Sequence, residues 1–179
     1  MEKKLAKIKL LALDVDGVLT DGSINIGNEG ELFKAFNAKD GLGISAALRN
    51  GLQIAIITGR KSAIIHKRAE ELGITLLCEG VKNKFAELKR LQEALKLSQE
   101  EVAYMGDDLN DLPAFMASGL AFAPQDAVEE VKAEANIVLE HVGGRGAVRE
   151  AVELILKSQA KWADVVAGYK SVAALGDAQ

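Results

Sequence analysis

Short apolar runs of strand length recur along this chain, and polar residues follow each run directly. The runs are residues 8–13, 53–57, 75–78, 102–105 and 120–123. Apolar residues at helical spacing lie between them, as at Ile44, Ala47 and Leu48. Strands that alternate with helices predict right-handed crossovers and a parallel sheet covered on both faces. We therefore predict an α/β fold with a doubly wound, Rossmann-like parallel sheet, formed by residues 1–179 as a single domain.

The polar segments that follow these strands are predicted to meet. In a doubly wound parallel sheet, ligands bind at the carboxyl ends of the strands. The segments at those ends are Asp14-Val15-Asp16-Gly17, Thr58-Gly59-Arg60, 79–84 and 106–111. The sequence therefore places four separate loops at one edge of the sheet.

Composition disfavours several classes of function. The 22 Lys and Arg residues against 26 Asp and Glu residues give a net charge of −4, and no long basic run is present, so a nucleic-acid partner or an anionic membrane surface is disfavoured. The single cysteine, Cys78, has no second thiol for a disulfide or a zinc site. No apolar run reaches 18 residues, and Asp14 falls where a signal peptide would need small residues. We expect a cytoplasmic protein that does not bind membranes.

Two groups of carboxylates stand at the predicted strand ends. Asp14 and Asp16 follow the first strand, and Asp107, Asp108 and Asp111 follow the fourth. Either group alone is also ordinary turn and helix-cap chemistry. Both groups at one edge favour a metal site, and because neither contains His or Cys, the oxygen donors favour Mg²⁺.

Hydroxyl and ammonium groups near these carboxylates suit a phosphorylated ligand. A carboxylate nucleophile needs the charge of its target phosphoryl group neutralised by a metal and by cations. Thr58 can donate its hydroxyl to a phosphate oxygen, or it can cap the helix that follows. Lys84 can pair with the nucleophile and the phosphoryl group, or it can be a solvated lysine at a helix start, and Lys82 is a competing candidate.

Two segments depart from the alternating pattern. Residues 22–36 carry apolar residues on both sides of the turn Gly27-Asn28-Glu29-Gly30, which predicts a protruding β-hairpin. An isolated hairpin is marginally stable in water, so this one is expected to lean on its own domain or on another subunit. The tail, residues 159–179, has a helical pattern to about Tyr169, and we expect a frayed end from Ser171 to Gln179.

The motifs themselves resemble a known superfamily. The segments LDVDGVLTDG, ITGR and GDDLND, with Lys84 between the last two, are similar in order and placement to the four motifs of haloacid dehalogenase superfamily phosphatases. Within it, FNAKDGLGI, EGVKNK and HVGGRGAVRE resemble the phosphatases of 3-deoxy-D-manno-octulosonate 8-phosphate. The resemblance covers roughly residues 8–158.

The resemblance implies roles for the carboxylates. Asp14 would be the nucleophile that forms an aspartyl-phosphate, and Asp16 the acid that protonates the leaving oxygen and then the base that activates water. Mg²⁺ would be held by Asp14, by the backbone carbonyl of Asp16 and by Asp107. Asp108 and Asp111 would reach the ion through water or orient its ligands. Thr58 and Lys84 would complete the catalytic group.

The resemblance also implies a substrate. The reaction would release phosphate from the eight-carbon sugar acid in lipopolysaccharide biosynthesis. The implied substrate-binding residues are Lys39, Asp40, Gly59, Arg60 and Arg145. Arg145 lies in Gly143–Gly146, which can equally be a simple turn. In the similar phosphatases of the related nine-carbon sugar acid phosphate, the residue after Thr-Gly is Glu. This chain has Arg60 there, so the resemblance favours the eight-carbon substrate. A sugar-phosphate-binding subunit without activity is a further alternative.

An assembly follows from the same resemblance. Relatives of this size lack an inserted cap domain, and the hairpin is the one candidate here to shield the substrate. In such relatives four chains join through their hairpins, so we expect a homotetramer. Ile24, Ile26, Phe33 and Phe36 would line the contact, unless they pack on their own domain.

Overall fold

Six parallel strands form the central sheet in the computed structural model, which describes residues 1–175. In chain order the strands of this part are β1 (Leu10–Leu13), β2 (Asn25–Gly27), β3 (Gly30–Phe33), β4 (Gln53–Ile57), β5 (Leu76–Cys78), β6 (Val102–Met105), β7 (Leu120–Ala123) and β8 (Ile137–Val138). The sheet runs in the order β5-β4-β1-β6-β7-β8, with parallel pairing throughout. The predicted doubly wound α/β fold is confirmed, and β8 is an additional edge strand of two residues.

Helices connect the strands and cover both faces of the sheet. They are α1 (Glu2–Leu5), α2 (Ala38–Arg49), α3 (Ala63–Leu72), α4 (Lys84–Leu95), α5 (Leu112–Ala117), α6 (Glu129–Glu134), α7 (Ala147–Ser158) and α8 (Trp162–Leu175). Within residues 1–175, no helix has both the length and the apolar character that crossing a membrane requires.

The helix in the tail is longer than predicted. We expected fraying from Ser171, but α8 continues to Leu175. Alanine and leucine in 171–175 are strong helix formers, so the end of the amphipathic pattern does not end the helix. Residues 176–179, also predicted to fray, lie outside the described residues.

Alternating residues of the central strand divide the core into two layers. Leu11 and Leu13 of β1 point to the layer that includes α2, α3 and α7. Leu10 and Ala12 point to the layer that includes α4, α5 and α6. All four side chains are completely buried. Because β1 is central and buried on both faces, it places the loop that follows it at the carboxyl edge of the sheet.

The predicted hairpin is present as the antiparallel pair of β2 and β3. Its apolar side chains differ in burial. Phe36 packs against the core of its own domain, with the guanidinium of Arg68 5.4 Å from its ring centre. Of the two alternatives for this side chain, packing on its own domain is the one that the structure shows. Of the other predicted contact residues, Ile24, Ile26 and Phe33 are 42%, 66% and 55% exposed, and the neighbouring Leu32 is 63% exposed.

A glycine-rich turn supports the loop after β1 from behind. The Gly144 amide donates to the carbonyl of Val18 at 2.9 Å. A Cβ atom at Gly143 would lie 1.9 Å from the carbonyl oxygen of Gly17, a distance that no side chain permits. The segment 143–146 is therefore a close-packed turn against the first loop, and glycine at 143 is required by this approach.

Candidate active site

A cavity of about 220 Å³ opens at the carboxyl ends of β4, β1 and β6. It is lined by Asp14, Asp16, Gly22, Thr58, Gly59, Arg60, Asp107, Asp108 and Asn110. The predicted convergence of loops that are distant in sequence is therefore observed. The strand order places β1 between β4 and β6, so the two carboxylate groups and the threonine segment occupy neighbouring positions along one edge.

A buried polar network surrounds the nucleophile candidate. The ammonium of Lys84, at the start of α4, lies 2.7 Å from Asp14 Oδ2 and 2.6 Å from Asp111 Oδ1. The hydroxyl of Tyr104, from β6, donates to the same Asp111 oxygen at 2.7 Å. These side chains are nearly inaccessible to water. Lys84, rather than Lys82, is thus the lysine paired with Asp14, and it is buried rather than solvated.

Asp111 orients this network. Its Oδ2 accepts hydrogen bonds from the backbone amides of Asp107 at 3.0 Å and Asp108 at 3.4 Å. Its Oδ1 accepts from Lys84 and Tyr104. Since both oxygens are fully engaged by the protein, Asp111 fixes the loop after β6 and the position of the lysine.

The carboxylates at this site outnumber the positively charged groups near them. Burial, with the charge of Asp111 adding to it, raises the pKa of Asp14 to about 6 despite the opposing effect of Lys84. Burial and the charges of Asp111, Asp14 and Asp108 raise the pKa of Asp107 to about 7. Burial alone would lower the pKa of Lys84, but Asp14 and Asp111 raise it above its ordinary value. A divalent cation at this position would offset the repulsion.

The donor set fits a hard cation. One carboxylate oxygen each from Asp14, Asp107 and Asp111 lie within 4.8 Å of one another. Because Asp111 is engaged by the protein, Asp14 and Asp107 are the better direct ligands, and oxygen donors of this kind suit Mg²⁺. The side chain of Asp16 points elsewhere, toward Lys34 and Arg60. Asp108 is exposed and caps the turn that follows by accepting from the Leu109 amide.

The threonine segment lies at the opposite wall of the cavity. Thr58 is buried, and its hydroxyl oxygen accepts from the Arg60 amide at 3.3 Å. Ser62 is the residue that caps α3, so the alternative of Thr58 as the helix cap is wrong. The Nε of Arg60 lies 3.8 Å from Asp16 Oδ2, with its side chain 48% exposed. The guanidinium is therefore at the mouth of the cavity.

Three of the predicted substrate-binding residues do not line this cavity. Asp40 is buried, and its oxygens accept from the backbone amides of Gly146 at 3.1 Å and Arg149 at 2.8 Å, so it stabilises the start of α7 instead of facing a ligand. Lys39 is exposed on the first turn of α2. Arg145 is exposed, 3.9 Å from Asp21.

Two hairpin residues reach the site, and neither was predicted from the sequence. The Nζ of Lys34 lies 2.5 Å from Asp16 Oδ1 and 3.1 Å from Glu31 Oε1, and the lysine side chain is only 2% exposed. Glu31 in turn accepts a hydrogen bond from the hydroxyl of Ser62. No local pattern signals these contacts, because a lysine beside an exposed strand is ordinarily solvated. Tyr104 was missed too, although a hydroxyl within an apolar strand signals a buried partner.

Comparison with known proteins gives a consistent result. A sequence profile of the haloacid dehalogenase-like hydrolases matches residues 79–151. The 3-deoxy-D-manno-octulosonate 8-phosphate phosphatase KdsC of Escherichia coli (strain K12) is 48% identical over 158 residues, which are 88% of this chain and 84% of the relative.

Two solved structures extend the match to the fold. The Moraxella catarrhalis 3-deoxy-D-manno-octulosonate 8-phosphate phosphatase, in complex with magnesium, phosphate and KDO, superposes with a TM-score of 0.91 at 41% identity, over 94% of this chain and 97% of that one. The cobalt-bound Haemophilus influenzae enzyme has a TM-score of 0.86 at 42% identity, over 88% and 92% of the two chains. With its strand-end carboxylates, buried lysine and matching fold, this chain belongs to the haloacid dehalogenase-like hydrolases, in the family of the 3-deoxy-D-manno-octulosonate 8-phosphate phosphatases.

Proposed function

We propose that this chain hydrolyses 3-deoxy-D-manno-octulosonate 8-phosphate to the free sugar acid and phosphate, with Mg²⁺ as cofactor, in lipopolysaccharide biosynthesis. The observation that carries the proposal is the buried contact of Lys84 with Asp14 and Asp111 beside Asp107. It supplies a nucleophile, a fixed cation and a place for a metal in one cavity. The KdsC relative and the Moraxella complex supply the substrate class and the metal.

Asp14 is the nucleophile in this proposal. Its carboxylate attacks phosphorus, and the bond from phosphorus to the sugar oxygen breaks as the aspartyl-phosphate forms. Lys84, 2.7 Å from Oδ2, holds the carboxylate in place and offsets negative charge. Thr58 and Gly59, which line the cavity, hold phosphate oxygens. Bound to Asp14, Asp107 and the backbone carbonyl of Asp16, Mg²⁺ would neutralise the phosphoryl group.

Asp16 moves the protons. It donates its proton to the departing sugar oxygen in the first half-reaction. In the second, it takes a proton from the water that attacks the aspartyl-phosphate, which frees Asp14 and phosphate. Its place in the cavity lining, at the mouth beside Arg60, supports this role.

The sugar acid is held by the cations around the mouth. Arg60 is the first of these, since it lines the cavity. Lys39 and Arg145 are more distant, and their contact with the substrate requires that the ligand extend beyond the cavity. Asp40 takes the supporting position described above and does not contact the sugar.

We further propose that a cytoplasmic homotetramer is the active form and that residues 1–179 act as one domain without a cap. The exposed Ile26, Leu32 and Phe33 of the hairpin support a contact between subunits. Light scattering with activity measurement tests this. A monomer that is fully active at assay concentration would contradict the tetramer.

Phosphate release tests the reaction. The panel contains eight-carbon and nine-carbon keto-deoxy sugar acid phosphates and hexose phosphates, each with Mg²⁺ and with a chelator. We expect turnover to require Mg²⁺ and to be fastest on the eight-carbon substrate. Preference for the nine-carbon acid would contradict the substrate assignment. Tight binding of the sugar phosphate without phosphate release would contradict the proposed enzymatic activity.

A further inference from the structure

Lys34 is a buried charge for which the proposed chemistry gives no role. It belongs to the segment that leaves β3, yet its ammonium is withdrawn from water and lies between the carboxylates of Asp16 and Glu31. Burying an ammonium is costly unless it is paired and hydrogen-bonded. The pairing with two carboxylates meets that requirement, and one of the two belongs to the residue proposed to move the protons.

The two carboxylate oxygens of Asp16 have different partners. Oδ1 is 2.5 Å from Lys34 Nζ. Oδ2 is the oxygen nearer Arg60, 3.8 Å from its Nε, and both Asp16 and Arg60 line the cavity. One oxygen is thus held by Lys34, while the other lies on the side of Arg60, a second residue of the cavity lining.

The lysine is itself held by the main domain. Glu31 Oε1 lies 3.1 Å from Lys34 Nζ, and the other oxygen of Glu31 accepts from the hydroxyl of Ser62. The amide of Ser62 donates to Glu79 Oε1 at 2.9 Å, at the end of β5. The hairpin is therefore fixed to the segment that follows Thr58 and Arg60, so the position of Lys34 is set relative to the cavity.

We propose that Lys34 is a positioning residue for Asp16. It fixes Oδ1 so that Oδ2 is the oxygen that exchanges the proton with the leaving group and with water, and Glu31 keeps Lys34 in place. This inference rests on the proposed function, in which Asp16 is the acid and base. It assigns to the hairpin a part in proton transfer within the same chain, in addition to any contact between subunits.

The test compares an ester that needs an acid with one that does not. Lys34→Met removes the charge and keeps the length of the side chain. We expect about 10- to 100-fold lower kcat on the sugar acid phosphate, with KM within about twofold, because general acid–base help is worth about 10² to 10⁴ in rate. With p-nitrophenyl phosphate, whose leaving group needs no proton, the first turnover in stopped flow should stay within about threefold, followed by a slowed steady state.

Two further variants give controls. Lys34→Arg retains a cation and should recover much of the lost kcat. Lys67→Met removes an exposed lysine on α3 and should behave as wild type. Circular dichroism and light scattering establish that each variant is folded and assembled. If Lys34→Met does not fold, Glu31→Gln takes its place, with a smaller loss of kcat on the sugar ester and the same contrast between substrates.

The possible failures differ from one another. Unchanged kcat on the sugar ester for Lys34→Met, or for Glu31→Gln if it is the folded variant, overturns the inference. A raised KM with unchanged kcat assigns Lys34 to substrate binding and also overturns it. An equal loss in the first turnover of both esters shows a purely structural role. Wild-type protein that hydrolyses p-nitrophenyl phosphate but not the sugar acid phosphate contradicts the proposed substrate, while wild type inactive on both contradicts the proposed function and this inference together.

Discussion

The site contains two lysines that each lie between two carboxylates, and they are supported very differently. Lys84 contacts Asp14 and Asp111 at the end of the central sheet, where the network is completed by a strand residue, Tyr104. Lys34, directly after β3, contacts Asp16 and Glu31 beside a two-stranded hairpin whose apolar side chains Ile26, Leu32 and Phe33 are exposed.

The different supports of the two lysines correspond to the two proposed parts of the reaction, nucleophilic attack and proton transfer. Asp14, the proposed nucleophile, depends on the sheet, which is buried on both faces. Asp16, the proposed acid, depends on a hairpin, and a two-stranded hairpin is marginally stable by itself. We therefore expect perturbation of the sheet side to affect every phosphate ester, and perturbation of the hairpin side to affect mainly esters with poor leaving groups.

The largest effect is expected at the nucleophile. Asp14→Asn removes the attacking oxygen while changing the volume little, so hydrolysis of the sugar ester and of p-nitrophenyl phosphate should both fall at least about 10⁴-fold, or about 5 kcal/mol in barrier. Phosphate release at saturating substrate measures it, with circular dichroism as the control for folding. Activity within tenfold of wild type would contradict the assignment of Asp14 as the nucleophile.

Asp16→Asn should distinguish the two esters. Loss of acid and base help is expected to slow turnover of the sugar ester about 10² to 10⁴-fold. The first turnover of p-nitrophenyl phosphate should be much less affected, because that leaving group departs without a proton. Equal losses in the first half-reaction of both esters would show that Asp16 is not the acid.

Tyr104→Phe probes the sheet side with a single hydroxyl. Removing the donor to Asp111 leaves a buried carboxylate with one partner fewer, at a cost of about 1–3 kcal/mol. We expect about a tenfold loss of kcat on both esters alike. Tyr169→Phe, at an exposed tyrosine on α8 whose hydroxyl contacts Arg49, is the matched control and should retain full activity. A loss confined to the sugar ester would contradict the division of roles.

Phe33→Asp probes one of the exposed apolar side chains of the hairpin. A charge in a contact between subunits should reduce particle size in light scattering and raise KM for the sugar acid phosphate about three- to tenfold, with little change for p-nitrophenyl phosphate. Met116→Asp, at another exposed apolar side chain, is the control. Unchanged particle size and unchanged KM would remove Phe33 from the proposed contact between subunits.

The smallest effect concerns metal and pH. In metal-free protein the pKa values of Asp14 and Asp107, about 6 and about 7, lie above those of the unfolded chain, so the folded state retains protons that the unfolded state has released. Stability should therefore fall as pH rises through this range, and Mg²⁺ should restore it where the carboxylates are ionised. Thermal unfolding should show a larger rise in Tm on adding Mg²⁺ at about pH 8 than at about pH 5. An equal rise at both would contradict a site built on these two groups.

Apart from Tyr104, the sheet side could be predicted from sequence because its signals are local. Asp14, Thr58 and Asp107 each follow an apolar run directly, and parallel strands bring their carboxyl ends together. The carboxylate of Asp40 gives no such signal, since its partners, the amides of Gly146 and Arg149, are distant in sequence. β8 was missed because a pair of residues has no periodicity.

The hairpin side was only half predictable. Its turn glycines and apolar flanks predicted the two strands, which the structure contains. The contact of Lys34 with Asp16 depends on how the hairpin lies against the domain, and that orientation is a property of the folded chain that no short pattern encodes. Phe36 shows the same point, since its packing on the core depends on where the chain turns back after β3.

The central position of β1 has a consequence for how the protein is made. This strand, Leu10–Leu13, leaves the ribosome well before its second neighbour, β6, at Val102–Met105. Until then one edge of β1 has no partner, and Asp14 has no Asp111 within reach. At about 5–20 residues per second, the nascent chain spends several seconds with an open strand edge. The proposed site can therefore form only once β6 has been synthesised, and fragments that end before β6 contain Asp14 without Asp107 and Asp111.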